Sequence, residues 1–178
     1  MQEICGIDLK YFFDEYKEPF NCEMTFQFYL ALFLQSNLRK KFGENVEIEF
    51  ESNIYKDKNC RCDIVIKTPD NNVTLIELKY VVEGTDSNKS SYGSRVSFMH
   101  DVQRLKDNIN IDNVKHKYCI FISNKSGVLM PSEKSKNEAK DFQELYPKSK
   151  WIELCWNKPN NNKKDNVFNP FILVEEVK

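Results

Sequence analysis

Asp63, Glu77 and Lys79 are the residues whose types and spacing could carry chemistry in this 178-residue chain. Glu77 and Lys79 flank Leu78. Along an extended strand residues i and i+2 project from one face. An acid and an amine therefore stand side by side while Leu78 turns to the core. Thirteen residues separate Asp63 from Glu77, and the interval holds the turn-forming run Pro69, Asp70, Asn71 and Asn72. A short turn there makes the flanking strands antiparallel neighbours, which brings Asp63 beside Glu77. Neighbouring carboxylates repel, and a bound cation or a shared proton relieves that repulsion. Magnesium suits the pair, because it takes hard oxygen ligands, uses one or two protein carboxylates and keeps sites for water and phosphate oxygens. The Lys79 ammonium could hold or deprotonate an attacking water and steady the charge that develops on phosphorus.

The elements that must position these residues follow from periodicity. Cys22 to Leu38 carries a wide apolar face and reads as one long helix, with Asn21 as its N-cap and Glu23 in the first turn, where the helix dipole favours an acid. Gly43 and Asn45 end it. Val46, Ile48 and Phe50 then alternate with Glu47, Glu49 and Glu51 as a half-buried strand. A turn at Asp57, Lys58 and Asn59 leads to a second strand, Cys60 to Lys67, with Ile64 and Ile66 opposite in face to Asp63 and Val65. Val73 to Val82 is a third strand, apolar enough to be central. Glu83 to Ser97 is rich in Gly, Ser and Asn and reads as a long exposed loop. Then come a helix from Ser97 to Asn110, a strand from Lys117 to Asn124, a Lys- and Glu-rich helix from Ser132 to Tyr146 and a strand from Trp151 to Trp156. The tail NPFILVEEV is either a sixth strand or a docking segment. With no repeat and no linker, the expectation is one α/β domain over residues 1–178.

The run RCDIVIKTPDNNVTLIELK resembles the signature of the PD-(D/E)xK nuclease superfamily, in which an Asp ends one strand of a hairpin and an acid, any residue and Lys lie on the next. The position before Asp63 is Cys62 where the family name has Pro. The resemblance spans Glu23 to Ser123 and implies a restriction-endonuclease-like core, a mixed central β-sheet flanked by helices. It further implies a magnesium-dependent nuclease, with manganese as substitute and DNA ahead of RNA as substrate. Asp63 and Glu77 would be metal ligands with the Leu78 carbonyl, Lys79 would orient water, and Glu23 on the first helix would add a carboxylate. Gln27 shares the Glu23 face. On the helix after the third strand His100, Asp101, Gln103 and Arg104 are candidates to reach the site. Gln27, Tyr92, Arg95, Gln103 and Arg104 are candidate contacts to nucleic acid, with Lys134, Lys136, Lys140, Lys148 and Lys150 as a possible phosphate-contacting flank.

Composition bounds these expectations. Hydrophobic residues are 40% and charged residues 30%, a globular balance. The net charge of −1 and pI near 6.2 lack the basic excess common in nucleic-acid binders. The six cysteines show no CxxC spacing; Cys119 and Cys155 sit in apolar runs as core thiols, and Cys60 and Cys62 are too close along one strand for a relaxed disulfide. No apolar run is long enough to cross a bilayer and no leader pattern opens the chain, so a soluble cytoplasmic protein without membrane contact is expected. There is no GxSxG elbow, phosphate-binding GxxxxGK[ST] loop or GxGxxG turn. An ELK triplet alone also occurs as an ordinary cross-strand ion pair. The rival to the nuclease is a catalytically silent protein of the same fold, acting as a binding, immunity or assembly module. Net acidity suits that rival, whereas an intact acid–acid–amine set suits the enzyme. For a nuclease this small, specificity would come from loops, dimerisation or a partner protein.

Overall fold

In the computed structural model, which describes residues 2–17, 20–82, 91–129, 136–154 and 170–178, the chain opens with a hairpin of Glu3–Ile4 (β1) and Ile7–Asp8 (β2). Cys5 and Gly6 form its turn with φ of 54° and 75°, the left-handed pair that tight hairpins favour. The Asp8 side chain accepts from the Lys10 amide at 2.8 Å and starts α1 (Leu9–Glu15). α2 runs from Glu23 to Phe42 and is capped by Gly43, the residue expected to end it, with Arg39, Lys40 and Lys41 in its last turn to complement the dipole. Its N-cap is Cys22, which makes no side-chain cap bond, so the expected capping by Asn21 is corrected.

The strands that follow are β3 (Glu47–Ser52), β4 (Cys62–Lys67) and β5 (Val73–Val81). α3 spans Ser91–Asp107, and β6 spans Val114–Ser123. A short α4 (Ser126–Leu129), α5 (Lys136–Leu145), β7 (Ile152–Glu153) and β8 (Phe171–Glu176) complete the described chain. The six-stranded sheet has the order β3-β4-β5-β6-β8-β7. β3, β4 and β5 form an antiparallel meander, β5 and β6 are parallel across the α3 crossover, and β8 runs antiparallel to both β6 and β7. The result is a mixed sheet flanked by helices. The tail is thus a strand, and the strand expected from Trp151 to Trp156 is short, with Cys155 and Trp156 outside the described residues.

Alternation along β5 divides the core. Ile76, Leu78 and Tyr80 pack with Phe12, Phe26, Leu30 and Leu34 of α1 and α2. Leu75 and Val81 pack with Phe98, Val102 and Leu105 of α3 and with Phe142 and Trp151. Phe50, expected inward, is 45% exposed because β3 is an edge strand beyond the reach of that core. The stretch Ser91 to Ser97, expected as loop, is the start of α3: Ser94 and Arg95 are buried, and this packing overrides a weak local preference. No described helix is long and apolar enough to cross a membrane.

The β4–β5 ladder ends at Ile64↔Ile76, whereas β5 stays paired to β6 as far as Val81↔Ser123. The last residues of β5 therefore have a strand on one side only.

Burial along α2 separates two similar leucines, Leu34 with no exposure and Leu32 with 44%. Leu34→Ala should cost about 2–5 kcal/mol in chemical denaturation. Leu32→Ala should stay within about 0.5 kcal/mol of the parent; equal losses would contradict this packing.

Candidate functional site

Where β5 lacks its second strand, its backbone groups need other partners. The Leu78 amide donates to Asp63 Oδ2 at 2.6 Å, and the Tyr80 amide donates to Glu23 Oε2 at 2.8 Å. The Leu78 carbonyl accepts from Lys79 Nζ at 2.9 Å. Two acids thus stand in for a missing strand, one from β4 and one from the first turn of α2. Gln27, one helical turn after Glu23, is buried and donates to the Asp63 carbonyl, with Glu51 Oε1 at 3.4 Å. Glu51 has a φ of 49°, a bend in the edge strand opposite Asp63 that a non-glycine residue seldom adopts.

From the other face, α3 supplies partners for the odd-numbered residues of β5. Lys79 Nζ lies 2.9 Å from Asp101 Oδ2. Arg104 bridges two acids, with Nη2 3.2 Å from Glu77 Oε1 and a second contact to Asp101 Oδ1. Tyr55, between β3 and β4, donates its hydroxyl to Glu77 Oε1, and the Arg104 guanidinium lies 5.1 Å from its ring centre. Glu77, Lys79 and Asp101 are buried.

Electrostatics follow from this crowding. Burial pushes Asp63 up to about 6, against the lowering pull of Lys79, the Leu78 amide and a hydrogen bond with Glu77. Burial also lifts Glu77 well above the usual carboxylate range, helped by the charges of Asp63 and Asp101 and opposed by Tyr55 and Arg104. For Lys79 burial works against the charge, but Asp101, Glu23 and Asp63 outweigh it and hold the ammonium above its ordinary value. Lys79 is therefore built to donate hydrogen bonds, not to take up a proton at neutral pH.

The chain matches no protein-family model, no curated protein and no solved structure. The site has to be read from its own chemistry. Glu23, Asp63, Glu77 and Asp101 bring four negative formal charges against the two positive charges of Lys79 and Arg104, an excess of two. That excess matches a divalent cation, and the carboxylate and carbonyl oxygens are hard donors of the kind magnesium takes. Among the described residues no group of three or more His, Cys, Asp or Glu side chains forms a metal-holding array. A cation here would thus rely on Asp63, Glu77, the Leu78 carbonyl and water.

The structure brings together Asp63, Glu77, Leu78, Lys79, Glu23, Gln27, Asp101 and Arg104 of the sequence-derived set. Arg95 is corrected: it is 2% exposed and donates to the Gly127 carbonyl, so it presents no group to a nucleic acid. Gln103 is exposed and turned to Asp107 on its own helix, and His100 is exposed beside it. The backbone of Tyr92 lies in α3, and its side chain is outside the described residues, as are those of Lys134, Lys136 and Lys140. Asp101 and Arg104 share a face at i and i+3, but His100 and Gln103 have the same spacing, so only packing against β5 decides which pair turns inward. Tyr55 carried no signal beyond being one aromatic residue in a polar stretch.

A carboxylate whose pKa is higher folded than unfolded binds more protons in the native state, so it lowers stability as pH rises between the two values. Metal-free protein should therefore lose stability from pH 4 to pH 7 through Asp63. Asp63→Asn should flatten that slope in urea titrations; an unchanged slope would show that Asp63 is not the group responsible.

Proposed function

We propose that this protein is a magnesium-dependent phosphodiesterase that cleaves nucleic acid, with DNA ahead of RNA. The observation that carries the reading is the open β5 edge, where Asp63, Glu77 and the Leu78 carbonyl gather beside a charged amine. The resemblance to the PD-(D/E)xK superfamily supports it, since the same three residues occupy the acid, acid and Lys positions of that signature. Manganese would substitute for magnesium.

Asp63 and Glu77 would hold the cation with the Leu78 carbonyl. When bound, it would acidify a water and offset negative charge on a phosphate. Lys79 would donate a hydrogen bond to the attacking water or to the phosphoryl oxygens as their charge grows. Asp101 keeps that ammonium in place by ion pairing. Glu23 adds a further carboxylate and fixes the Tyr80 amide, so the strand carrying Glu77 and Lys79 keeps its position. Gln27 holds the Asp63 backbone in the same way.

Asp63→Ala and Lys79→Ala should each lower magnesium-dependent cleavage of plasmid DNA by on the order of 100-fold or more while circular dichroism stays native. Unchanged cleavage by either variant would remove the assignment. If the parent protein neither binds manganese in calorimetry nor cleaves plasmid or tRNA, the silent binding module takes its place.

A further inference from the structure

We infer that Tyr55 and Arg104 are positioning residues that set which oxygen of Glu77 meets the cation, an assignment that rests on the metal-site reading above. Both donors converge on one atom: the Tyr55 hydroxyl and Arg104 Nη2 each bond Glu77 Oε1. Neither uses Oε2, the oxygen that would meet a cation held jointly with Asp63 in place of the hydrogen bond the two acids share. A carboxylate pinned at one oxygen has lost the rotation that would let it swing between bridging and terminal positions. It is therefore pre-organised before the cation arrives.

The two donors are themselves fixed as a unit. Residues 54–56 lie against the end of α3, where the Asn110 amide donates to the Ile54 carbonyl at 2.8 Å and the Lys56 amide to the Asn108 carbonyl at 2.9 Å. Tyr55 and Ile109 face each other across this bridge. Tyr55 is 3% exposed, and the guanidinium of Arg104 covers its ring. The same guanidinium reaches Asp101, the partner of Lys79. A relay of contacts thus runs Tyr55, Glu77, Arg104, Asp101, Lys79, and ties the proposed ligand to the proposed water-orienting amine. A residue whose task is only to fill space has no need for a hydroxyl aimed at a buried acid.

Tyr55→Phe keeps the ring and removes one donor. It should weaken manganese binding by roughly 10–100-fold in calorimetry. In magnesium titrations of plasmid cleavage it should raise the half-saturating metal concentration by a similar factor while leaving the maximal rate near that of the parent. Arg104→Lys, which keeps the charge but loses the planar guanidinium that reaches Glu77 and Asp101 through Nη2 while covering the Tyr55 ring, should shift metal dependence in the same direction. Parent-like metal affinity in both variants, each folded by circular dichroism, would overturn this assignment and leave the nuclease reading standing. A reduced maximal rate at saturating metal with unchanged affinity would also overturn it, because positioning would then not act through the cation. If the parent protein itself fails to bind manganese, the metal-site reading falls first and this one with it.

Discussion

Backbone amides buried in a sheet must find acceptors, and past Ile76 those of β5 that face β4 find them on side chains. Asp63 takes the amide of Leu78 and Glu23 takes that of Tyr80, so the gap is closed by carboxylates where a strand would have closed it with carbonyls. This substitution organises everything nearby. It concentrates negative charge at one buried place beside the Leu78 carbonyl, which accepts from Lys79. It also lets helices on both faces of the sheet reach one place, Glu23 and Gln27 from α2 and Asp101 and Arg104 from α3.

Such a cluster is costly unless its charge is matched. Lys79 and Arg104 offset part of it, while burial first and the neighbouring acids second raise the proton affinities of Asp63 and Glu77. Under the proposed reading a proton and a divalent cation would compete for these two acids. In the proposed chemistry the two carboxylates and the Leu78 carbonyl would be the protein donors, with water completing the shell.

Much of this was legible in the chain. The i, i+2 spacing of Glu77 and Lys79 and the Pro69–Asn72 turn were enough to place three groups together, because strand alternation and hairpin register leave few alternatives. Glu23 was legible as a first-turn acid, but not that it would cap a strand amide, since that depends on where the β4–β5 ladder stops. The start of α3 was missed because Ser91 to Ser97 has no apolar period; burial of Ser94 and Arg95 against neighbouring elements makes it helical. The same burial takes Arg95 off the surface where its charge alone would have put it. Tyr55 was invisible because its partner, Glu77, lies 22 residues away and is met only through tertiary structure.

The outer margin of the sheet has a consequence for solubility. Glu47, Glu49 and Glu51 follow one another along β3, and only Glu49 is matched by a neighbour, Lys67, among the ion pairs of the described residues. Two such margins laid together would stack like charges along their whole length, which disfavours the strand-on-strand growth that open sheets invite. The opposite margin, β7, offers only two residues as a template. The acids along β3 thus oppose edge-to-edge growth of the sheet, and Glu51, the one that also reaches Gln27, belongs to both the margin and the site.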